Sequence, residues 1–198
     1  WHFLNHSVPP GPYTWFQGST GVFQAHEGPP DSYLASNWAA GPTAGVGDCN
    51  NWMLTEEIEL SDIGCVSFYT RTVEGSSWPD ALQLRLSDNG GSFNVGNGAF
   101  EVGDFDELLI DINPGLEVGG YPEEWTEFTV DQPGWSGSGR LGFRYFVTEC
   151  GGFGVNSNYI GVDTLDVDTG ACTGGDGGDG GDGGDGGDGG VPASTPGG

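Results

Sequence analysis

Short segments in which apolar and polar residues alternate run through the chain between residues 15 and 170, and they constrain the fold more than any other feature. In residues 80–88 the apolar side chains share one face, and they are Leu82, Leu84 and Leu86. In residues 140–148 the corresponding set is Leu141, Phe143, Tyr145 and Val147. Because successive side chains of a strand point to opposite faces, a period of two residues predicts strands with one buried face.

Turn sequences separate these segments, including SDNGG at 87–91 and DQPG at 131–134. The aromatic content of 12% is enough to build a packed core. A short helix or helical turn is an alternative only for DFDELLIDI at 104–112. We therefore predict an all-β domain, a jelly-roll β-sandwich with an extended N-terminal arm and a Gly-Gly-Asp repeat C-terminal tail.

The charge balance excludes several classes of partner. The chain has 29 Asp and Glu residues against 4 Lys and Arg residues, which gives a formal net charge of −25. Such a chain repels phosphates, so nucleic-acid binding and docking on an anionic membrane surface are excluded. Apolar runs are only a few residues long, which also argues against insertion into a membrane.

Composition divides the chain into an N-terminal arm (residues 1–14), the predicted sandwich (15–172) and a tail (173–198). The tail repeats Gly-Gly-Asp and contains no apolar side chain until its last residues, so it cannot bury a core of its own. It is either a flexible spacer or a polyproline-II-type helix, whose three residues per turn would align its carboxylates along one edge. These carboxylates, which are candidates for an assembly contact, belong to Asp176, Asp179, Asp182, Asp185 and Asp188.

The N-terminal arm carries several apolar side chains ahead of a proline-rich break. They are Trp1, Phe3, Leu4 and Val8. The segment HFLNHSV suits a short strand, which either covers this chain's own sheet or pairs with a neighbouring subunit by strand addition. In the second case these four residues belong to an assembly contact between copies of the chain.

The four cysteines are Cys49, Cys65, Cys150 and Cys172, and none of them has the C-x-x-C spacing of a zinc or redox site. The chain starts at Trp1 without an initiator Met, so we expect a mature chain whose signal peptide has been removed. In an exported, lysine-free chain, the cysteines predict two disulfides. Sequence alone leaves three connectivities open.

No catalytic constellation can be identified. Nothing singles out a pair of carboxylates for glycoside hydrolysis among 29 acidic residues. His26 is the only histidine of residues 15–172, and no Ser lies in a G-x-S-x-G motif. Trp78 and Trp135 lie in turn-like sequences and are candidates for stacking on sugar rings, with aromatic lids on the sandwich edges as the alternative.

Longer motifs add a resemblance to a known family. NNWMLTEEIEL, VSFYTRTVEGSSWPDALQLRLSDNGGSFNVG, GRLGFRYFVT and NSNYIGVDTL occur in this order. Together they resemble bacterial choice-of-anchor J domains, which are relatives of cleaved-adhesin domains, over roughly residues 15–168. The resemblance implies an extracellular, cell-surface jelly-roll domain that is not an enzyme.

A more distant similarity to MAM domains bears on the cysteines and on a metal. In those domains a Cys that opens a strand of the CxxFxY kind is joined to a Cys just after the last strand. The matching positions here are Cys65 and Cys172, so the similarity implies Cys65–Cys172 and leaves Cys49–Cys150. The resemblance to cleaved-adhesin and MAM domains also implies a structural calcium ion near Asp163, for which Glu27 and Asp31 are candidate further ligands. The alternative is a structural Asp163 among solvated loop acids.

Two functions follow from these features. The first is a structural subunit that assembles head-to-tail with copies of itself into an extracellular fibre or surface layer. The second is an adhesin or carbohydrate-binding module that binds cell-surface glycans and is tethered by the tail. We expect no cofactor other than calcium.

Overall fold

Eleven strands and two single-turn 3-10 helices make up a computed structural model of the chain, which describes residues 1–131 and 134–172. In chain order the strands are β1 (His2–Asn5), β2 (Phe16–Gln17), β3 (Leu34–Asn37), β4 (Gly47–Leu54), β5 (Ile58–Glu59), β6 (Cys65–Thr72), β7 (Leu82–Ser87), β8 (Glu107–Ile112), β9 (Thr126–Asp131), β10 (Ser138–Cys150) and β11 (Tyr159–Asp168). The 3-10 helices are Trp38–Ala40 and Leu60–Asp62. Neither helix of the described part is long and apolar enough to cross a bilayer.

The strands form two antiparallel sheets. The first sheet has the order β1-β4-β10-β7-β8, with β5 paired to one end of β10, and the second has the order β2-β3-β11-β6-β9. This architecture confirms the prediction of an all-β sandwich. The repeat aspartates of the tail lie outside the described residues.

The core between the sheets is built from the faces that alternation predicted. Leu82, Leu84 and Leu86 of β7 are all but completely buried, and they pack with residues of the second sheet such as Phe68. Each fully buried side chain of this size contributes about 1.5–3 kcal/mol relative to an exposed one. Burial of these faces therefore provides the main driving force for the sandwich.

Loops bury part of each sheet's outer face as well, which simple alternation did not predict. The loop between β7 and β8 covers the first sheet with Val95 and Phe105, which pack on Trp52 and Leu54. On the second sheet, Phe23 from the loop between β2 and β3 packs against aromatic residues of the sheet. The outward-facing Arg144 of β10 is consequently only 3% exposed.

Two segments bear on alternatives that the sequence left open. Residues 107–112 form strand β8, so the helical alternative for residues 104–112 is wrong. The strand of the N-terminal arm is β1, which pairs with β4 of the same chain in the register His2↔Leu54 to Asn5↔Asn51. β1 is consequently an edge strand of the first sheet.

Both disulfides have the connectivity that the resemblance implied. Cys49–Cys150 joins β4 to the end of β10 within the first sheet. Cys65–Cys172 joins the start of β6 to the chain just beyond β11. The described residues contain no free cysteine.

Candidate functional site

A surface groove between two partly exposed tryptophans is the candidate site. Trp38 begins the first 3-10 helix and is 37% exposed, and Trp78 lies in the loop between β6 and β7 and is 51% exposed. The groove has a volume of about 280 Å³. Its other lining residues are small or polar, and they are Thr43, Gly151, Gly152, Gly154, Ser157 and Asn158.

Local hydrogen bonds hold each tryptophan in place. Asn37 precedes Trp38 and caps its short helix, because the Asn37 side chain accepts a hydrogen bond from the Ala39 N–H at 3.0 Å. The Ser76 hydroxyl accepts from the Trp78 N–H at 3.1 Å and donates to the Trp78 carbonyl at 2.8 Å. The backbone at both tryptophans is therefore held by capping and turn interactions of their own segments.

The floor of the groove is a glycine-rich loop between β10 and β11. Its backbone is tied to the loop between the first 3-10 helix and β4, because the Gly152 N–H donates to the Pro42 carbonyl at 2.8 Å and the Phe153 N–H donates to the Gly45 carbonyl at 3.0 Å. Gly151 has φ of 106°, and a Cβ there would lie 2.7 Å from the Pro42 carbonyl oxygen. Only glycine fits this close approach without strain.

Asn158 connects the two tryptophan segments. Its carbonyl accepts a hydrogen bond from the Trp38 N–H at 3.2 Å. Its side-chain amide donates to the Ser76 hydroxyl at 2.9 Å, and Ser76 in turn holds Trp78. The groove is therefore one hydrogen-bonded unit, and Asn158 lies at its centre.

A buried carboxyl group anchors this unit from below. Asp80 is 0% exposed, and its Oδ1 accepts from the Asn158 N–H at 2.8 Å and from the Tyr145 hydroxyl at 2.6 Å. Its Oδ2 accepts from the Thr72 hydroxyl at 2.6 Å. Burial raises the pKa of Asp80, and the hydrogen bonds from Thr72 and Tyr145 oppose this shift in part.

Ser157 sits between the groove and this buried network. It has φ of 77°, a left-handed conformation that costs a residue other than glycine about 1–3 kcal/mol. The conformation is held by the Ser157 N–H, which donates to the Pro79 carbonyl at 2.8 Å, and by a 2.6 Å hydrogen bond between the Ser157 and Tyr145 hydroxyls. Strain held in this way is common at binding sites, which supports a functional role for the groove.

Several polar atoms of the groove make no hydrogen bond within residues 1–131 and 134–172. They are the two indole N–H groups, the Thr43 hydroxyl and Asn158 Oδ1. Among the described residues, no charged side chain lines the groove. The groove is thus lined by two tryptophans together with small and uncharged polar residues, a combination that suits a neutral ligand with both apolar and hydroxyl surfaces.

The structure separates the two tryptophans that the sequence singled out. Trp78 borders the groove, but Trp135 lies near the start of β10, where it is half-buried and packs against the main core. Its indole Nε1 is 3.4 Å from Glu107 Oε1. Sequence reasoning missed Trp38, although the sequence Asn37-Trp38 followed by Gly41 is a signal for a short capped turn.

The three residues predicted to bind calcium do not converge on one point. Asp163 Oδ2 accepts from the backbone N–H groups of His26 (2.8 Å) and Glu27 (3.2 Å), and Oδ1 accepts from the Thr164 N–H (2.8 Å). Asp31 instead accepts from the Gln17 side chain at 3.0 Å. Within the described ranges these residues form no cluster of three metal-ligand atoms. Asp163 therefore holds the loop that carries His26 and Glu27 in this arrangement.

Calcium binding at Asp163 remains a prediction of the resemblance. If the carboxylates rearrange around an ion, EDTA should lower the melting temperature (Tm) of the wild type and added Ca²⁺ should restore it, because a ligand of the folded state stabilises by mass action. The Asp163→Asn variant should not respond. An unchanged wild-type Tm would rule out the ion.

The apolar residues of the N-terminal arm lie on both faces of β1. Trp1, Phe3 and Val8 are exposed. Leu4 is half-buried and packs against the cluster on the outer face of the first sheet that contains Trp52 and Phe105. The Trp1 ring centroid is 6.4 Å from that of Phe143. Leu4 and Trp1 therefore contribute to this chain's own packing. Within residues 1–131 and 134–172, no strand pairs with the outer edge of β1.

The comparisons with known proteins support the fold. No protein-family model and no curated protein sequence matches this chain. Among solved structures, the chain is similar to the K1 cleaved adhesin domain of Lys-gingipain from Porphyromonas gingivalis, with a TM-score of 0.58 and 16% identity over 84% of this chain and 88% of that one. The K2 cleaved adhesin domain of Lys-gingipain has a TM-score of 0.54 and 19% identity over the same shares. The β-sandwich is therefore of the kind found in these adhesin domains.

Proposed function

We propose that this chain is a non-catalytic, extracellular cell-surface module that binds carbohydrate in the groove between Trp38 and Trp78. The observation that carries the proposal is the pair of partly exposed indoles around a groove whose other lining groups are small or uncharged and polar. The adhesin domains that share its fold support a role in surface binding, as does the resemblance to choice-of-anchor J domains. The two disulfides support an oxidising, extracellular environment.

Sugar rings match the chemistry of the groove. The C–H face of a pyranose packs on an aromatic ring, and its hydroxyls both donate and accept hydrogen bonds. The two free indole N–H groups and Asn158 Oδ1 can engage those hydroxyls. Because the tryptophan segments are already joined through Asn158 and Ser76, binding costs little additional ordering of the protein.

The groove also explains why we propose a binding module rather than a hydrolase. Glycoside hydrolysis requires two carboxyl groups that reach the scissile bond. No carboxylate of the part of the chain that the structure describes lines the groove, and Asp80 beneath it is fully buried with both oxygens in hydrogen bonds. The groove therefore supplies contact surface and hydrogen bonds without an acid and base pair.

Glycan-array binding of purified protein tests this proposal. We expect Trp78→Ala and Trp38→Ala each to weaken binding at least about tenfold, which corresponds to about 1.4 kcal/mol. Trp78→Ala should leave the free energy of unfolding within about 0.5 kcal/mol of the wild type, as is usual at exposed positions. Phe100→Ala is the matched control, because Phe100 is exposed on the loop over the first sheet and does not line the groove. Loss of binding in the control, or no glycan signal in the wild type, would contradict the proposal.

Self-assembly into a fibre is a second candidate, which the open edge of β1 favours. The backbone hydrogen bonds of His6 and Val8 point to β4, so by strand alternation the Phe3 N–H points away from β4 and is available for strand addition. Phe3→Pro should remove this donor and leave the β1–β4 pairing intact. Phe3→Thr keeps the donor and controls for loss of the ring.

Electron microscopy of the native surface material then tests assembly directly. We expect regular filaments from the wild type and from Phe3→Thr, and dispersed particles from Phe3→Pro. Dispersed wild-type particles would contradict assembly and leave carbohydrate binding as the function. Filaments formed by Phe3→Pro would exclude the β1 edge as the joint.

A further inference from the structure

In the part of the chain that the structure describes, the arginine side chains and the N-terminal ammonium group all make contacts away from the groove. The chain has no Lys, and its four Arg residues are held by backbone carbonyls and aromatic rings. Arg144, for example, donates to the Ala99 carbonyl at 2.7 Å and lies over the Phe146 ring. The N-terminal ammonium group contacts Glu56 at 3.4 Å. No cation within residues 1–131 and 134–172 is therefore available to pair with a negatively charged ligand in the groove.

The surroundings of the groove are negative. A small crevice on another side of Trp78 is lined by Glu117 and Glu123. Residues 1–172 as a whole contain 24 acidic residues against four Arg residues. An acidic group that entered the groove would lose its hydration and meet repulsion, with no guanidinium or ammonium group to compensate.

From this charge arrangement we propose that the groove selects glycans that carry no carboxylate, sulfate or phosphate and excludes their acidic counterparts. The inference rests on the proposed carbohydrate-binding function, because it names the ligand class of the same site. Two features produce the selectivity. The uncharged donors and acceptors of the groove match hydroxyl groups, and the missing cation removes the bidentate interaction through which proteins usually recognise acidic groups.

Paired glycans that differ only in acidic groups test the inference. We expect the array to show binding to neutral oligosaccharides that is lost in Trp78→Ala, and at least tenfold weaker binding to sialylated, uronate or sulfated forms of the same backbone. For the strongest neutral glycan, titration calorimetry at 50 mM and 500 mM NaCl should give Kd values within twofold of each other, because no ion pair forms.

A charge-introducing variant makes the test two-sided. Thr43 lines the groove and is exposed, so Thr43→Lys places a cation at the site and should strengthen binding of the acidic counterpart at least fivefold at 50 mM NaCl. Phe100→Lys changes the net charge equally away from the groove and should have no such effect. The inference would be overturned if acidic glycans bound the wild type as tightly as neutral ones and Trp78→Ala abolished this binding. That result would still support the proposed carbohydrate-binding function. No Trp78-dependent binding to any glycan would remove the proposed function itself.

Discussion

Asp80 shows how one buried side chain shapes the candidate site. Its carboxyl group holds the Asn158 backbone, and Asn158 holds both tryptophan segments. Proteins rarely bury a carboxyl group completely unless it is fully hydrogen-bonded. Here the hydrogen bonds come from Thr72, Tyr145 and Asn158, so the group fixes the groove without being accessible to a ligand.

The raised pKa of Asp80 predicts a specific pH dependence. Because burial raises the folded-state pKa above the unfolded-state value, the folded protein binds this proton more tightly. The stabilising contribution is therefore fully present below the unfolded-state pKa and is lost as pH rises through the folded-state pKa. We expect the free energy of unfolding of the wild type, minus that of Asp80→Asn, to decrease between pH 3 and pH 8.

Urea unfolding followed by tryptophan fluorescence at a series of pH values measures this difference. Subtracting the variant removes the contributions of other carboxyl groups, such as those of Glu56 and Asp104, whose pKa values are lowered by hydrogen bonds. A difference that stays constant or increases with pH would contradict the predicted direction.

At the level of the loops, the Cys49–Cys150 disulfide has a local role. Cys150 is the last residue of β10, and the glycine-rich loop of the groove begins immediately after it. A Cβ atom at Gly41 would lie only 2.6 Å from Cys150 Sγ. The disulfide is therefore packed directly under the loop that follows Trp38. Its loss should loosen two walls of the groove.

A pair of double variants tests this role. Cys49→Ala/Cys150→Ala and Cys65→Ala/Cys172→Ala should each lower the free energy of unfolding by about 2–5 kcal/mol. Only the first should also weaken binding to the strongest neutral glycan, as measured by calorimetry at 15 °C, where both variants remain folded. Equal affinity of the two variants would show that the disulfide does not organise the groove.

The strands illustrate what could be predicted from the sequence. β7 and β10 alternate cleanly because one face of each packs in the core, and both were predicted. The sequence of β8 does not alternate, because its pairing with β7 shifts register between Leu84 and Arg85 and this changes which side chains face inward. The helical alternative for this segment therefore could not be excluded from the sequence. Burial of Arg144 could not be predicted either, since it depends on a loop that folds over the sheet from a distant part of the sequence.

The candidate site was predicted only in part for a related reason. The turn-like sequence around Trp78 marked it as a surface residue, and the same reasoning selected Trp135. Whether a turn tryptophan faces solvent or folds back on the core depends on long-range packing, which a short sequence pattern does not contain. The groove itself joins residues from three separate loops, including Trp38, Trp78 and Asn158, so no local motif could reveal it.

The molecule as a whole is dominated by uncompensated negative charge. Among carboxylates in the described ranges, only Glu56 lies within ion-pair distance of cationic groups. The remaining surface acids repel one another, and this repulsion opposes the compact state. Salt shortens the Debye length from about 30 Å at 0.01 M to about 3 Å at 1 M and should relieve the repulsion.

We therefore expect the Tm to rise when NaCl increases from 0.01 M to 1 M. For a chain of this size each kcal/mol of added stability corresponds to about 2–4 °C. Differential scanning calorimetry measures the change. A variant with Asp62→Asn, Asp88→Asn and Glu124→Gln removes three exposed charges and should show a smaller rise. A Tm that does not change with NaCl would contradict the prediction.

The Cys65–Cys172 disulfide also determines where mechanical tension enters the fold. Force applied to the chain beyond Cys172 passes through the sulfur bridge to Cys65, at the start of β6, a strand paired on both sides. Without the bridge only the hydrogen bond from the Cys172 N–H to Asp131 would precede β11, and the same force would then peel β11 away from β6 one residue pair at a time, starting at Asp168. Pulling on single molecules should therefore give one high-force rupture in oxidised protein and an earlier, low-force extension in Cys65→Ala/Cys172→Ala. Tension applied beyond Cys172 would thus leave the groove between Trp38 and Trp78 intact until the sheet itself fails.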